Sequence, residues 1–243
     1  MLISQTWRLI PFLEANGKLQ MAIDQWLLKQ HQSKKYPPTL RFYTWSPSAI
    51  SLGYHQRNYP SYWQSLTWKD EEIELVRRPT GGRAVLHNGD LTYAVVASGF
   101  PGSRIKAYKK ICEFLIQGWR NLGIELDYGT AGRGYINNPN CFGTATGADL
   151  IMVDGTKLIG SAQLRRGDVV LQHGSMRLKP DVELFKRIFG EDLLDGVVFA
   201  EDLGIERIIT ALIDAARNCF GVEFEEKGLS DDEWEEIFYD VET

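Results

Sequence analysis

A segment rich in arginine and glycine contains the first residues that could do chemistry. Between Arg77 and His87 the chain has two arginines, a Gly-Gly pair, a third arginine and a closing histidine. Arginine stays protonated and offers a planar fork of donors to a carboxylate or phosphate. Glycine tolerates positive φ and lets backbone amides approach a ligand. The segment therefore predicts a strand–loop–strand clamp for an acidic or phosphorylated group. The alternative is a glycine hairpin with solvated arginines.

Cys141 is a candidate nucleophile. It is one of three cysteines and lies in an irregular, polar stretch, whereas Cys112 falls on an apolar helical stripe. A nucleophilic thiol needs access and a nearby cation, because a free pKa of about 8.5 leaves only a few per cent thiolate at neutral pH. Lys157, just after an Asp-Gly turn, could supply that cation. The alternatives are an adventitious loop thiol and a solvated hairpin lysine.

Small side chains mark a second candidate binding surface. The strand from Gly160 to Gln163 contains small and amide residues, and small residues in a strand let a ligand lie against the backbone. The alternative is a bulge or close helix packing. His173-Gly174 follows one strand later, where His173 could orient a substrate or simply be hydrogen-bonded within the sheet. Arg165 and Arg166 form a turn tip, which is either solvated or a docking patch for an acidic partner.

The charge of the chain is unevenly distributed. The 243 residues are 44% hydrophobic, enough for a sizeable core, and the net charge of −5 argues against general affinity for nucleic acid. The last 22 residues contain ten acidic residues and one lysine, so the rest of the chain has a net charge of +4. A basic binding face is therefore compatible with an acidic protein. The chain shows no signal-peptide layout, no apolar run of about 18 residues and no disulfide or zinc spacing, which predicts a cytoplasmic location.

Periodicity predicts the elements that would position these residues. Two hairpins in series are expected around Asp154-Gly155 and Arg166-Gly167-Asp168. The chain is expected to be a single α+β domain over residues 1–243, with mixed and antiparallel sheets flanked by helices and a helical C-terminal portion from about residue 180. Strand patterns cover residues 7–12, 40–45, 49–52 and 91–97, and helical patterns cover 19–27, 105–122, 182–188 and 205–213.

These motifs together resemble the lipoate and biotin protein ligase superfamily. The resemblance spans about Trp7 to about Leu178 and implies the fold of the biotin/lipoate protein ligase catalytic domain. The matching motifs are Arg77-Arg78-x-Thr80-Gly81-Gly82-Arg83-Ala84-Val85-Leu86-His87 with Leu91-Thr92-Tyr93, then Lys157-Leu158-Ile159-Gly160-Ser161-Ala162-Gln163 with Gln172-His173-Gly174-Ser175, and Thr39 to Trp45 with Ser51-Leu52-Gly53-Tyr54.

Two activities within this superfamily compete. Octanoyltransferases move octanoate from acyl carrier protein through a cysteine thioester to a lysine of a lipoyl domain, whereas lipoate ligases use ATP to make a lipoyl-adenylate. Three features resemble the first group: the Asn140-Cys141-Phe142 segment, Arg83 where ligases more often have a third glycine, and the short tail after Leu178. The alternatives are an ATP-dependent ligase and a non-catalytic lipoyl-domain or acyl-carrier binding protein.

The resemblance also implies roles and partners. Cys141 would attack the octanoyl thioester, and Lys157 would lower the pKa of that thiol and help hold the acyl carbonyl. The partners would be octanoyl-acyl carrier protein and lipoyl domains such as glycine cleavage H protein and 2-oxoacid dehydrogenase E2 subunits, without cofactor, metal, nucleic acid or membrane. The residues expected to form the substrate site are Arg77, Arg78, Thr80, Gly81, Gly82, Arg83, Ala84, Val85, His87, Gly160, Ser161, Ala162, Gln163, His173 and Gly174.

Overall fold

The computed structural model describes residues 5–129, 149–190 and 203–242. Within these ranges the fold is α+β, as predicted. The α-helices are α1 (Gly17–Gln32), α2 (Arg104–Asn121), α3 (Val182–Phe189), α4 (Ile205–Phe220) and α5 (Asp231–Glu242). The strands are β1 (Gln5–Ala15), β2 (Thr39–Trp45), β3 (Ala49–Leu52), β4 (Thr67–Trp68), β5 (Glu71–Glu72), β6 (Glu74–Arg77), β7 (Val85–His87), β8 (Asp90–Ala97), β9 (Leu126–Tyr128), β10 (Leu150–Met152), β11 (Lys157–Arg166), β12 (Val169–Arg177) and β13 (Val222–Glu226).

The main sheet has eight strands in the order β13-β1-β2-β8-β12-β11-β10-β9. Its centre is antiparallel, from β2 through β8 and β12 to β11. Both predicted hairpins are confirmed, and each turns at a glycine with positive φ, Gly155 at +86° and Gly167 at +66°. These hairpins place the Gly160–Gln163 stretch directly beside His173 and Gly174.

Helices cover both faces of the main sheet. One hydrophobic cluster lies between the sheet and α2 with α4, and another lies between the opposite face and α1 with α5. Because both faces are covered, all eight residues of β8 are buried. Local capping sets the starts of α1 and α2: Asn16 accepts a hydrogen bond from the Leu19 amide at 2.9 Å, and Ser103 accepts one from the Lys106 amide at 3.4 Å.

A separate three-stranded sheet supports the glycine segment. Its order is β6-β3-β7, with β6 parallel to β3 and β7 antiparallel to it. The loop from residue 78 to residue 84 therefore crosses from one edge of β3 to the other. The strand–loop–strand prediction is confirmed, and the glycine-hairpin alternative is wrong, because the two flanking strands pair with β3 and not with each other.

The prediction of a helical C-terminal portion was incomplete, because this portion also contains a strand. Strand β13 joins the main sheet beside β1, with Gln5 opposite Val222 and Leu9 opposite Glu226. Helix α5 packs on α1 and begins with a capping box, in which Glu233 accepts from the Ser230 amide at 2.8 Å. Glu233 also forms a buried ion pair with Arg8 at 2.8 Å. The acidic tail is thus built into the domain on the side of β1.

In the parts of the chain that the structure describes, no helix is long and apolar enough to cross a membrane.

Candidate functional site

A narrow cleft lies between the glycine loop, α1 and the central strands. Its cavity volume is only about 50 Å³. Apolar and small side chains dominate its walls. The residues that line it are Met21, Tyr43, Trp45, Ser51, Arg78, Gly82, Val85, His87, Thr92, Gly160, Ser161, Ala162, His173, Gly174 and Ser175.

The cleft continues into a second, more open groove on the surface. The two share Gly82, Ser161 and Ala162. The groove adds the first turns of α2 on its other side, and its remaining lining residues are Gly81, Arg104, Ile105, Tyr108 and Gln163. A thin, mostly apolar ligand could therefore lie in the cleft while its attachment follows the groove.

His173 connects three parts of the site. Its Nδ1 lies 2.7 Å from the Asp24 carboxylate on α1, and its Nε2 lies 2.6 Å from the Thr80 hydroxyl in the glycine loop. Asp24 is fully buried and also accepts a hydrogen bond from the Tyr43 hydroxyl at 3.0 Å. His173 is therefore hydrogen-bonded within the fold and also lines the cleft, and a role in orienting a substrate stays a prediction.

His87 belongs to a second buried hydrogen-bond cluster. Its Nδ1 lies 2.8 Å from Asp90 and its Nε2 2.8 Å from Ser51, and its ring stacks on Trp45 with centroids 3.8 Å apart. Burial lowers the pKa of His87, although the Asp90 carboxylate acts in the opposite direction. The imidazole is therefore neutral at neutral pH, with Nδ1–H donating to Asp90 and the Ser51 hydroxyl donating to Nε2.

The two arginines before the glycines hold the loop in place. Arg77 donates to the backbone carbonyls of Gly53 and Gln56, both at 2.8 Å. Arg78 is buried and donates to the carbonyls of Ser51, Gly81 and Arg83 at 2.7, 2.9 and 2.7 Å. Because these donors already meet backbone oxygens, the described geometry makes the arginines a support for the loop, and a clamp for an acidic group remains a prediction for Arg77 and Arg78.

Gly53 lets the glycine loop pass close to the end of β3. A Cβ at this position would overlap the Gly82 carbonyl oxygen and lie 2.8 Å from its carbon. Both are backbone atoms, so the loop itself would have to move. Gly81 offers a matched comparison in the same loop, because a Cβ there would meet no atom within 4 Å.

We expect Gly53→Ala to destabilise the protein by about 3 kcal/mol, the upper end of the usual cost of overpacking. Gly81→Ala should leave the free energy of unfolding within about 0.5 kcal/mol of the wild type. Urea unfolding of the three proteins measures both values. Equal stability of Gly53→Ala and Gly81→Ala would show that the loop does not depend on this close approach.

Lys157 is buried rather than solvated. Its ammonium lies 2.8 Å from the Asp149 carboxylate, and both side chains are almost completely shielded from solvent. The backbone carbonyl of Lys157 accepts hydrogen bonds from Arg177, whose pKa burial lowers to about 10. The solvated-lysine alternative is therefore wrong. Lys157 is not one of the residues lining the cleft, and its predicted catalytic role stays a prediction.

The structure brings most of the predicted substrate residues together. Ala84 is an exception, because it packs in the core beneath the small sheet instead of lining the cleft, and Cys141 lies outside the described residues. The predicted residues that line the cleft are Arg78, Gly82, Val85, His87, Gly160, Ser161, Ala162, His173 and Gly174. Those placed around it are Arg77, Thr80, Gly81, Arg83 and Gln163.

Sequence reasoning missed the carboxylates that hold the histidines and the lysine. Asp24, Asp90 and Asp149 are all buried. A signal existed for Asp24, because Gln20 and Asp24 are four residues apart on a helix whose neighbouring positions are apolar, and buried carboxylates usually have partners. Asp90 and Asp149 lie at strand ends, where nothing in the pattern distinguishes a buried carboxylate from a solvated one.

Residues 16–196 match the model of the lipoyl protein ligase A/B catalytic domain. The chain belongs to this family. It is 39% identical over 191 residues to "Octanoyltransferase LipM" of Carboxydothermus hydrogenoformans, covering 76% of this chain and 69% of that protein. It is 30% identical over 259 residues to the protein of the same name from Lysinibacillus sphaericus, covering 96% and 93%.

A solved structure of the lipoyl protein ligase family has the same fold. It is lipoate-protein ligase A bound with ATP, with a TM-score of 0.80, 23% identity, and coverage of 98% of this chain and 95% of that one. The predicted resemblance is thereby confirmed for the lipoyl protein ligase family and for its fold. Among the described residues, no group of histidine, cysteine and carboxylate side chains is arranged to hold a metal ion.

Proposed function

We propose that this chain is a protein octanoyltransferase of lipoate biosynthesis, which takes octanoate from octanoyl-acyl carrier protein and passes it to a lysine of a lipoyl domain. The observation that carries the proposal is the narrow cleft, because residues from both family signatures line it. Its walls of Val85, Ala162 and glycines suit a straight alkyl chain, which needs apolar contact and little width. The relatives named octanoyltransferase favour this acyl group.

The proposed reaction has two acyl transfers. The Cys141 thiolate attacks the carbonyl carbon of the octanoyl thioester, the new C–S bond forms, the bond to the carrier sulfur breaks, and the carrier leaves as a thiolate that takes a proton from solvent. The amine of the acceptor lysine then attacks the enzyme thioester, so an amide forms, the Cys141 thiolate is released and the amine proton passes to solvent. Both steps pass through an oxyanion, and the Lys157 ammonium would stabilise that charge.

The partners and location belong to the same proposal. The acceptors would be lipoyl domains such as glycine cleavage H protein and the E2 subunits of 2-oxoacid dehydrogenases. Cys112 and Cys219 are free cysteines, which suits a reducing compartment such as the cytoplasm.

Intact-mass spectrometry tests the proposal directly. The purified protein, incubated with octanoyl-carrier protein and no ATP, should gain the mass of one octanoyl group and then pass it to an added lipoyl domain. The same assay with free lipoate and ATP serves as the comparison. A chain that stays unmodified without ATP, but modifies the lipoyl domain from lipoate when ATP is added, would be a ligase instead.

A further inference from the structure

The cleft is smaller than the acyl group that it is proposed to hold. In a protein core, a cavity of about 150 Å³ is occupied by a single benzene molecule, which has fewer carbon atoms than an octanoyl group. The cleft measures only about 50 Å³. For the whole octanoyl chain to enter, part of the wall must therefore move.

Two residues of the wall have free space behind them. Met21 also lines a cavity of about 430 Å³ between α1 and β6, which we call the outer cavity. Trp45 also lines a cavity of about 410 Å³ near the start of α4. Each of these side chains is therefore a partition that could enlarge the cleft by turning away from it.

Trp45 is held in place from two directions. Its indole Nε1 donates to the Thr92 hydroxyl at 2.9 Å, and its ring stacks on His87 with centroids 3.8 Å apart. Turning the ring away would leave a buried donor without an acceptor, which is costly. Trp45 is therefore a fixed part of the wall.

Met21 has no such polar anchor. A thioether is only a weak acceptor, and the methionine side chain has three rotatable bonds, so it adapts to irregular space. Met21 is 4% exposed and packs in the cluster on the α1 side of the main sheet. The groove borders α2, which covers the opposite face of that sheet. Met21 therefore lies on the side of the cleft away from the groove.

We propose that Met21 is the movable end wall of the cleft and determines the length of the acyl chain that the site accepts. The inference rests on the proposed function. The side chain turns toward the outer cavity as the acyl chain enters, which gives the chain the room that the closed cleft lacks. Because Met21 stays anchored on α1, it still lies between the cleft and the outer cavity and stops a longer chain.

Shortening Met21 should make the cleft accept longer chains. Met21→Ala removes the side chain beyond Cβ and opens the cleft into the outer cavity. A single methylene more or less in an apolar pocket changes discrimination by roughly 10–200-fold. The effect should therefore be largest for a chain several methylenes longer than octanoate.

The test compares octanoyl-carrier protein with dodecanoyl-carrier protein as donors to a lipoyl domain. We expect the dodecanoyl-to-octanoyl rate ratio to rise roughly tenfold or more in Met21→Ala. Both rates come from one preparation, so their ratio does not depend on the fraction of the protein that is folded. Met21→Val retains more of the side chain and should show a smaller rise, and it takes the place of Met21→Ala if the alanine variant does not fold.

Leu28→Ala is the matched control. Leu28 lies about two helical turns after Met21 on the same buried face of α1, and it belongs to the same hydrophobic cluster. It is not among the residues that line the cleft or the outer cavity. Leu28→Ala should lower the urea midpoint, as Met21→Ala does, because both variants leave space in the core, but its rate ratio should equal that of wild type.

The outcomes separate the role of Met21 from the proposed function. A dodecanoyl-to-octanoyl ratio in Met21→Ala equal to that of wild type would overturn the role of Met21. An equal rise in Leu28→Ala would also overturn it, because general loosening of α1 would then explain the change. If wild type transfers neither acyl group from the carrier, the proposed function itself fails. The same ratio, measured with free octanoate, free dodecanoate and ATP, then tests Met21 separately.

Discussion

Cys141→Ser is expected to lower octanoyl transfer by roughly 10³-fold or more and to prevent the octanoyl group from appearing on the enzyme. A thiol with a free pKa of about 8.5 is partly ionised at neutral pH, and a nearby cation raises that fraction further. A serine hydroxyl is not ionised under these conditions, and without an adjacent general base it is a poor nucleophile. Steady-state transfer assays and intact-mass spectrometry measure the two losses.

The other two cysteines provide matched controls. Burial raises the pKa of Cys112 to about 12, because its thiol lies on the buried face of α2 in the core. Burial also raises the pKa of Cys219, which is partly buried near the end of α4. Neither thiol is ionised at neutral pH, so Cys112→Ala and Cys219→Ala should both form the acyl-enzyme and retain transfer. Octanoate found on either of them, or full activity in Cys141→Ser, would refute a thioester at Cys141.

Elements with local signals were predictable from the sequence. The Asp154-Gly155 and Arg166-Gly167 turns require a residue at positive φ, and glycine supplies it without strain. Helix α2 was also predictable, because its capping residue Ser103 and its apolar stripe are patterns formed by residues close together in the sequence. The motif at Arg77–His87 indicated a loop between two strands, because its glycines lie between two short apolar runs.

Features that depend on distant partners were not predictable. The acidic run Val222–Glu226 has only two apolar residues, Val222 and Phe224, in an alternation too short to indicate a strand by itself, and it becomes β13 beside β1. The arginines of the glycine motif appeared suited to a ligand, yet Arg77 and Arg78 donate to carbonyls from β3 and the loop. Charge and residue type can be read from sequence, but which oxygen a guanidinium meets depends on the tertiary fold.

The candidate site residues also combine features that the sequence indicates with features that it does not. Sequence motifs indicated His87, Lys157 and His173, but not the carboxylates that fix them, since Asp24 is 149 residues away from His173. A carboxylate that accepts from one imidazole nitrogen determines what the other nitrogen can do. The sequence therefore indicated which residue types form the site, whereas the protonation state of each side chain depends on contacts that only the three-dimensional structure shows.

Lys157→Met is expected to lower both the stability of the protein and its rate of octanoyl transfer. Removing the ammonium leaves the Asp149 carboxylate buried without its partner at 2.8 Å, and breaking a buried ion pair in this way costs about 3–5 kcal/mol. It also removes the cation proposed to stabilise the oxyanion, and losing one such donor lowers kcat by roughly 10²–10³-fold. The single variant alone cannot tell a partly unfolded protein from an inactive site.

The double variant Lys157→Met/Asp149→Leu separates the loss of stability from the loss of activity. Replacing both members of a buried ion pair with apolar residues is often neutral for stability, so the free energy of unfolding should return to within about 1 kcal/mol of wild type. Octanoyl transfer should stay roughly 10²-fold or more below wild type, because the cation is still missing. Urea unfolding measures the stability and a transfer assay on the same preparations measures the activity. If transfer recovers together with stability, Lys157 serves only to neutralise Asp149, and the oxyanion must be stabilised by other donors.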